Sequence, residues 1–277
     1  MSPSLRRGIG FAATYVALVV AALAVIFPLL FAASVSLQSA GDVSTYPPYL
    51  IPPSLHLENY AQVLAIFPAG RFLFNSLLVS TLVTVGQVVT CSLAAYAFAF
   101  IAFKGRNLLF GLTLATLMVP AEVTLIPNYL LIRHLDWMDR YQGLVAPFVA
   151  SAFGIFLLRQ FFLQVPTVLY DAARIDGCGR FRFFRSIALP LARPGLITLS
   201  AYTFLQTWNQ YLWPLLVTNE KAMRTVQIAA RFLRNEEAQQ WHLIMAGVVL
   251  VLLPALILLL VAHRQIVRGL ITGAVKG

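Results

Sequence analysis

The chain is a succession of long apolar blocks joined by shorter polar segments, without the spacing of amphipathic core helices. A helix needs roughly 20 residues to cross a hydrocarbon core about 30 Å thick, because each residue adds about 1.5 Å. Six blocks meet this requirement: Ile9–Leu37, Phe72–Phe103, Asn107–Ile132, Tyr141–Leu158, Gly195–Thr218 and His242–Ala262. The pattern therefore predicts an all-α polytopic membrane protein with six transmembrane helices.

The composition agrees with this prediction. Of the 277 residues, 60% are hydrophobic and 11% are charged, whereas about a quarter of the residues in soluble domains are charged. Neighbouring membrane helices re-satisfy the carbonyls that an internal proline frees. Kinks are predicted at several of Pro28, Pro120, Pro127, Pro147, Pro214 and Pro254. No linker or repeat marks a second domain, so residues 1–277 are expected to form one transmembrane domain.

The distribution of lysine and arginine predicts the orientation, since loops rich in these residues stay in the cytoplasm. With the N-terminus inside, thirteen of the 20 lysines and arginines fall on cytoplasmic segments and seven on outer segments. Both termini are therefore expected to be cytoplasmic. The net charge of +10 reflects this asymmetry. It does not indicate binding to nucleic acid, because no soluble domain remains to carry a basic face.

The cytoplasmic segment between the fourth and fifth blocks, residues 164–194, is too polar to span the membrane. We name it the hook, and predict two short helices in it. Pro166 suits a first helical turn, and Gly177 stands where a left-handed residue ends a helix. A second helix is expected over Gly179–Ala188, ending before Pro190.

The hook has two interpretations. Phe181, Phe184 and Ala188 form an apolar stripe flanked by arginines, and this composition favours a helix that lies on anionic lipid headgroups. The alternative is a projection that fits into a groove of a partner protein. Ala172 and Ala173 are small enough to allow the close backbone approach that such a fit requires.

The spacing of residues in the hook resembles the EAA loop of bacterial ABC importer permeases. The matching residues are Asp171, Ala172, Ala173, Gly177, Ile187, Leu189 and Pro190, with Asp171 where the family usually has Glu. In that family the loop is the coupling helix, which docks in a cleft of the cytoplasmic ATPase subunit. The resemblance therefore implies the partner interpretation and places these residues at the contact.

The resemblance covers nearly the whole chain and implies a type I ABC importer permease (MetI-like) fold. The glycine-punctuated ending, Gly269–Gly277, is similar to that of carbohydrate importer permeases related to the maltose system. Leu117–Val123, Leu158–Phe162 and Trp208–Pro214 look most like the glycerol-3-phosphate importer permeases. The implied function is import across the bacterial inner membrane of sn-glycerol 3-phosphate or a glycerophosphodiester. A neutral mono- or oligosaccharide is the alternative solute.

The resemblance also implies the partners: a second permease subunit, two cytoplasmic ATPase subunits and an extracytoplasmic solute-binding protein, in a complex surrounded by membrane lipid. The chain contains no G-K-[ST] phosphate loop. ATP and Mg²⁺ are therefore expected on the ATPase subunits, with no catalytic residue, metal or cofactor in this chain. A stand-alone secondary transporter is the alternative from a different class, but such proteins commonly carry several intramembrane ionisable groups.

Glu122 is the only acidic residue inside a predicted membrane helix. A buried carboxylate is costly there unless it is paired, protonated or facing water, so Glu122 is a candidate for the solute pathway. The alternative is a position near the outer end of the helix, where the carboxylate reaches headgroup water.

The segment Trp208–Trp213 combines aromatic faces with amide and hydroxyl groups, a mixture that suits a polyhydroxylated solute. The alternative is an aromatic belt at the outer membrane interface. Amide side chains fit such a belt poorly. Trp208, Asn209 and Tyr211 are therefore further candidates for the pathway.

Overall fold

The computed structural model describes residues 3–66, 68–228 and 240–274, and every regular element in these ranges is helical. The main α-helices are α1 Pro3–Val35, α2 Ala40–Val43, α3 Glu58–Ile66, α4 Ala69–Phe100, α5 Arg106–Ala115, α6 Ala121–His134, α7 Tyr141–Val145, α8 Ala152–Phe162, α9 Thr167–Ile175, α10 Arg180–Phe183, α11 Leu189–Leu191, α12 Arg193–Trp208, α13 Leu212–Val217 and α14 Trp241–Ala274. The predicted all-α class is confirmed for these residues.

Three predicted spans are unbroken helices. Their apolar stretches, each long enough to cross a membrane, are Thr14–Val35 in α1, Gly70–Phe100 in α4 and Trp241–Leu258 in α14. Pro28 and Pro254 lie inside α1 and α14 without ending them. The last helix continues to Ala274, well beyond the predicted end at Ala262.

The third and fourth spans are broken, so the prediction of one helix each is wrong. A 3₁₀ turn, Thr116–Met118, extends α5, and α6 then leaves at an angle of 97°. A second 3₁₀ turn, Ala146–Phe148, extends α7, which meets α8 at 48°. Each break lies beside a proline, Pro120 or Pro147, whose ring disfavours a continuous helix. In the described ranges, length and apolar composition allow five spans if each bent pair counts as one.

The fifth predicted span is also interrupted, since α12 ends at Trp208 and α13 begins at Leu212. The prediction of a single helix over Gly195–Thr218 is therefore wrong. Pro214 lies in the first turn of α13, where backbone N–H groups have no intrahelical partner. Because proline has no N–H to donate, Pro214 favours a helix that begins near Leu212 over a continuous helix that runs through residues 195–218.

Contacts group the chain into two compact units, Met1–Ala69 with Ala230–Leu252 and Gly70–Ala229 with Leu253–Gly277. In the first unit, the buried side-chain amide of Asn59 donates hydrogen bonds to the carbonyl oxygens of Ser36 and Gln38, both at 2.9 Å. These carbonyls follow the end of α1, where backbone acceptors lack helical partners. The amide thereby fixes the path on which the chain leaves α1.

In the second unit, side chains of α4 donate hydrogen bonds to the break between α7 and α8. The three bonds run from Gln87 Nε2 to the Phe148 oxygen at 2.8 Å, from Thr90 Oγ1 to the Val149 oxygen at 2.6 Å, and from Cys91 Sγ to the Ser151 oxygen at 3.4 Å. Gly86 allows the close approach, because a Cβ there would lie 3.0 Å from a Val149 methyl group. The irregular backbone is therefore satisfied from one neighbouring helix.

Gly143, which is buried in α7, is a test of this packing. A Cβ at this position would collide with the backbone carbonyl oxygen of Trp137, which a rotamer change cannot move. We expect Gly143→Ala to destabilise the detergent-solubilised protein by about 1–3 kcal/mol, measured by thermal unfolding.

Gly111→Ala is the matched control, since Gly111 is also helical and no described residue lies within 4 Å of the added methyl group. This change should be neutral or slightly stabilising, by less than about 1 kcal/mol. Equal melting temperatures for the two variants would contradict the packing described around Gly143.

Candidate functional site

The first helix of the hook, α9, ends at Gly177 as predicted. Gly177 has φ +71°, which L-residues with side chains rarely adopt. The Cys178 N–H donates to the Ala173 oxygen at 2.8 Å, and the Gly177 N–H donates to the Arg174 oxygen at 3.1 Å. These two bonds define a Schellman motif. The predicted left-handed termination at Gly177 is therefore confirmed.

The second helix of the hook runs further than predicted. A π-helical turn, Phe184–Ala188, follows α10, and α11 then carries the helical path through Pro190 to Leu191. The predicted end before Pro190 is wrong. Pro190 stands in the first turn of α11, directly after the wider π turn, and its missing N–H is tolerated there.

The apolar face of the hook is buried inside the protein. Ala173, Phe183, Phe184 and Ala188 form one core cluster with residues of α4, α8 and α12, among them Tyr96, Leu158, Phe162 and Leu199. Of the predicted stripe, only Phe181 is exposed, at 69%. A helix that lies on lipid presents its apolar stripe to the membrane, so this burial favours the partner interpretation.

The residues of the EAA-like motif divide between the surface of the hook and its core. Asp171, Ala172, Gly177 and Pro190 are exposed, whereas Ala173 is buried and Ile187 and Leu189 are half-buried. Of the exposed members, Asp171, Ala172 and Gly177 lie in α9 or the turn after it, and Pro190 lies in α11. They are available to a docking subunit, while the buried members anchor the hook to α4 and α8.

A second candidate site is a cavity of about 390 Å³ at the beginnings of α6 and α13. Glu122 and Tyr211, two of the predicted pathway residues, both line it. Glu122 is exposed and lies in the first turn of α6, where the positive end of the helix dipole stabilises a carboxylate. Phe148 and Trp213 add aromatic surface to the wall. The cavity thus offers both polar and aromatic contacts to a solute.

Trp208 and Asn209 do not line this cavity. Trp208 is buried, and its ring stacks on Phe204 with centroids 5.9 Å apart. Asn209 Nδ2 donates to the Leu205 oxygen at 2.9 Å, and its Oδ1 accepts a hydrogen bond from Gln227 at 3.3 Å. Both residues therefore have structural partners at the end of α12.

Sequence reasoning identified Glu122 but missed the other residues that α6 contributes to the cavity. The lining residues Ala121, Thr124, Leu125 and Asn128 follow the i, i+3, i+4, i+7 spacing of one helix face. This face can be read from the sequence, but its position opposite the beginning of α13 depends on packing that no local pattern contains.

The sequence is similar to known transport proteins over nearly its whole length. A family model described as "binding-protein-dependent transport system inner membrane component" matches residues 87–272. The sn-glycerol-3-phosphate transport system permease proteins UgpE of Yersinia enterocolitica and Pectobacterium atrosepticum are each 38% identical to this chain, over 96% of it and 97% of theirs. The corresponding protein of Rhizobium meliloti is 35% identical, over 96% of this chain and 98% of its own.

Solved structures show the same fold. A chain of a bacterial ABC transporter involved in the import of the acidic polysaccharide alginate has a TM-score of 0.85 at 23% identity, over 95% of this chain and 98% of that one. A chain of a bacterial alginate ABC transporter in complex with an alginate pentasaccharide-bound periplasmic protein has a TM-score of 0.68 at 14% identity, over 95% of each chain. These likenesses concern the fold alone.

The predicted resemblance to ABC importer permeases is confirmed by the family match and by the full-length relatives. Membership also decides against the stand-alone secondary transporter, because the matched family works with a binding protein. The protein is a permease subunit of an ABC importer in the bacterial inner membrane, and it belongs to the family of binding-protein-dependent transport system inner membrane components.

Proposed function

We propose that the chain is a single permease domain, residues 1–277, that crosses the membrane six times with both termini in the cytoplasm. The helices α1, α4 and α14 supply three crossings, and the bent pairs α5–α6 and α7–α8 supply two. The interrupted pair α12–α13 supplies the sixth. The excess of lysine and arginine on the hook and the other inner segments supports this orientation.

Thiol labelling tests the orientation. The chain has two cysteines, of which Cys91 is fully buried and Cys178 is half-buried in the hook. In sealed, right-side-out cells we expect a membrane-impermeant maleimide to leave Cys178 unlabelled until the membrane is permeabilised. Lys221→Cys, at an exposed position on a predicted outer segment, should label without permeabilisation. Labelling of Cys178 in intact cells would reverse the topology.

The hook, in this proposal, docks on one of two cytoplasmic ATPase subunits and transmits ATP hydrolysis to the membrane helices. ATP and Mg²⁺ belong to those subunits, and this chain contributes no catalytic residue. A second permease subunit completes the membrane core, and an extracytoplasmic solute-binding protein delivers the solute. The exposed turn at Gly177, framed by Asp171 and Ala172, supports the docking role.

Gly177→Val tests the coupling role. A β-branched residue resists positive φ at a cost of about 1–2 kcal/mol, and its side chain projects into the proposed contact. Among the residues that the structure describes, none lies within 4 Å of the added Cβ, so the membrane helices should insert normally. We expect the variant to lose ATPase co-purification or solute-stimulated ATP hydrolysis, measured on the reconstituted complex, and transport with it.

Gly105→Val is the matched control. Gly105 also has positive φ, +80°, and its Cβ position has no atom within 4 Å in the described ranges, but it precedes α5 and lies outside the hook. The backbone strain is comparable, and coupling should be retained. The coupling role is rejected if Gly177→Val hydrolyses ATP and transports solute as the unmodified protein does, or if Gly105→Val is equally defective.

For the solute, we propose sn-glycerol 3-phosphate or a glycerophosphodiester. Support comes from 35–38% identity, over 96% of the chain, with proteins that carry that solute in their names. The cavity at α6 and α13 is the proposed pathway element in this chain, with Tyr211 in its wall. Because a carboxylate repels a phosphate, Glu122 is assigned to the glycerol hydroxyls, from which it accepts hydrogen bonds.

Glu122→Gln tests this assignment in an uptake assay with labelled sn-glycerol 3-phosphate. Hydrogen bonds to a charged acceptor are worth about 1.5–3 kcal/mol, roughly twice those to a neutral one. We expect the KM for uptake to rise about three- to tenfold, with ATPase assembly unchanged. Asp136→Asn is the control, since Asp136 is an exposed acid outside the cavity and Asn also tolerates its φ of 55°.

Two results in the same assay would contradict the proposal. If Glu122→Gln and Asp136→Asn raise the KM for uptake equally, the cause is the loss of negative charge on the outer surface and not a contact in the cavity. If neutral mono- or oligosaccharides compete for uptake and unlabelled sn-glycerol 3-phosphate does not, the transported solute is a neutral sugar. The role as a permease subunit would be unaffected.

A further inference from the structure

The hook encloses a cavity of about 560 Å³ against the inner end of α4. Phe100, Ile101 and Ala102 form one side, and the turn Gly177–Gly179 forms another. In the described part of the chain, no atom lies within 4 Å of a Cβ built at either Gly177 or Gly179, so the backbone on this side of the cavity is uncovered. The hook is thus a projection with a concave pocket beside its turn, which we name the hook pocket.

The walls of the hook pocket are held by specific contacts. The Tyr96 hydroxyl of α4 donates to the Arg180 carbonyl oxygen at 2.9 Å. The rings of Tyr170 and Phe183 meet edge to face at 4.9 Å, and Phe100 lies 5.3 Å from Phe183. The pocket is therefore formed before any partner binds, so a partner does not have to order it.

The pocket carries positive charge that is not neutralised within the described residues. Arg174 and Arg180 both line it. The ion pairs found in the described ranges are His56 with Glu58 and Asp136 with Arg140, and neither involves the hook. The Arg174 guanidinium lies 5.9 Å from the centroid of the Tyr170 ring. A carboxylate complements the charge of these two arginines, and an arginine guanidinium can bind a carboxylate in a bidentate manner.

We propose that the hook pocket receives an Asp or Glu side chain that projects from the docked ATPase subunit, between Arg174 and Arg180. This inference rests on the coupling role proposed above. Gly177 belongs both to the motif and to the pocket wall, so a subunit docked on the hook lies beside the pocket. In this contact the hook docks on the ATPase subunit, and an acidic side chain of that subunit enters the hook pocket. The buried apolar face argues against lipid as the occupant.

Charge reversal on the reconstituted complex tests the proposal. Arg174→Glu and Arg180→Glu reverse the charge in the pocket, while Arg182→Glu and Arg185→Glu reverse exposed arginines of the same hook that do not line it. We expect the pocket variants to reduce ATPase co-purification by about tenfold or more, because loss of one partner of a close charge pair costs that much. The controls should change it by less than about threefold.

Maleimide labelling of Cys178 supplies a second measurement, because this thiol lines the pocket and Cys91 is fully buried. Bound ATPase should slow labelling of Cys178 about tenfold in the unmodified protein and in both controls, and much less in the pocket variants. An equal loss of binding in all four variants would assign the effect to general surface charge and overturn the proposal. Unchanged binding in all four would also overturn it.

Two further outcomes separate this proposal from its alternatives. Protection of Cys178 by vesicles of anionic phospholipid without ATPase would make a lipid phosphate the occupant and overturn the carboxylate assignment. If Gly177→Val uncouples transport while all four charge reversals bind ATPase normally, the coupling role survives and only the pocket proposal fails. If Gly177→Val is fully coupled, the coupling role fails independently of the charge reversals.

Discussion

The structure of the second unit depends on one constraint: backbone carbonyls freed where a membrane helix breaks must find donors without water. One unbroken helix, α4, supplies them at the break after α7. Its Gln87 and Thr90 side chains donate to the Phe148 and Val149 carbonyl oxygens there, at 2.8 and 2.6 Å. An unsatisfied carbonyl at such a depth costs several kcal/mol. These side chains are thus a condition for this break.

The breaks in turn create the cavity that contains Glu122. Irregular backbone at membrane depth is tolerated where it is buried in protein or lines a cavity. Both interruptions converge here, because α6 begins after Pro120 and α13 begins after the non-helical residues 209–211, and both beginnings form the wall. The beginnings of two helices, α6 and α13, therefore meet at one cavity, and the side chains of Glu122, Thr124, Asn128, Gln210 and Tyr211 supply its polar groups.

The sequence predicted the features that depend on local chemistry. Apolar length located α1, α4 and α14, and the special freedom of glycine located the end of α9 at Gly177. It did not reveal which prolines break a helix. Pro28 and Pro120 both lie in apolar blocks, but only the second ends its helix, and the difference depends on packing that no local pattern contains. For the same reason the sequence pattern groups Trp208 and Asn209 with Tyr211, although only Tyr211 lines the cavity and the other two lie at the end of α12.

The same helix that satisfies the break after α7 also holds the hook. Asn75 and Tyr96 lie 21 residues apart on α4, which corresponds to about 30 Å at 1.5 Å per residue. At one end Asn75 binds the segment after α13, and at the other Tyr96 binds the Arg180 carbonyl of the hook. A helix of this length resists compression along its axis, because every intermediate residue is hydrogen-bonded. A movement of the hook that keeps the bond from Tyr96 therefore displaces α4 as a rigid body and carries the movement to its distant end.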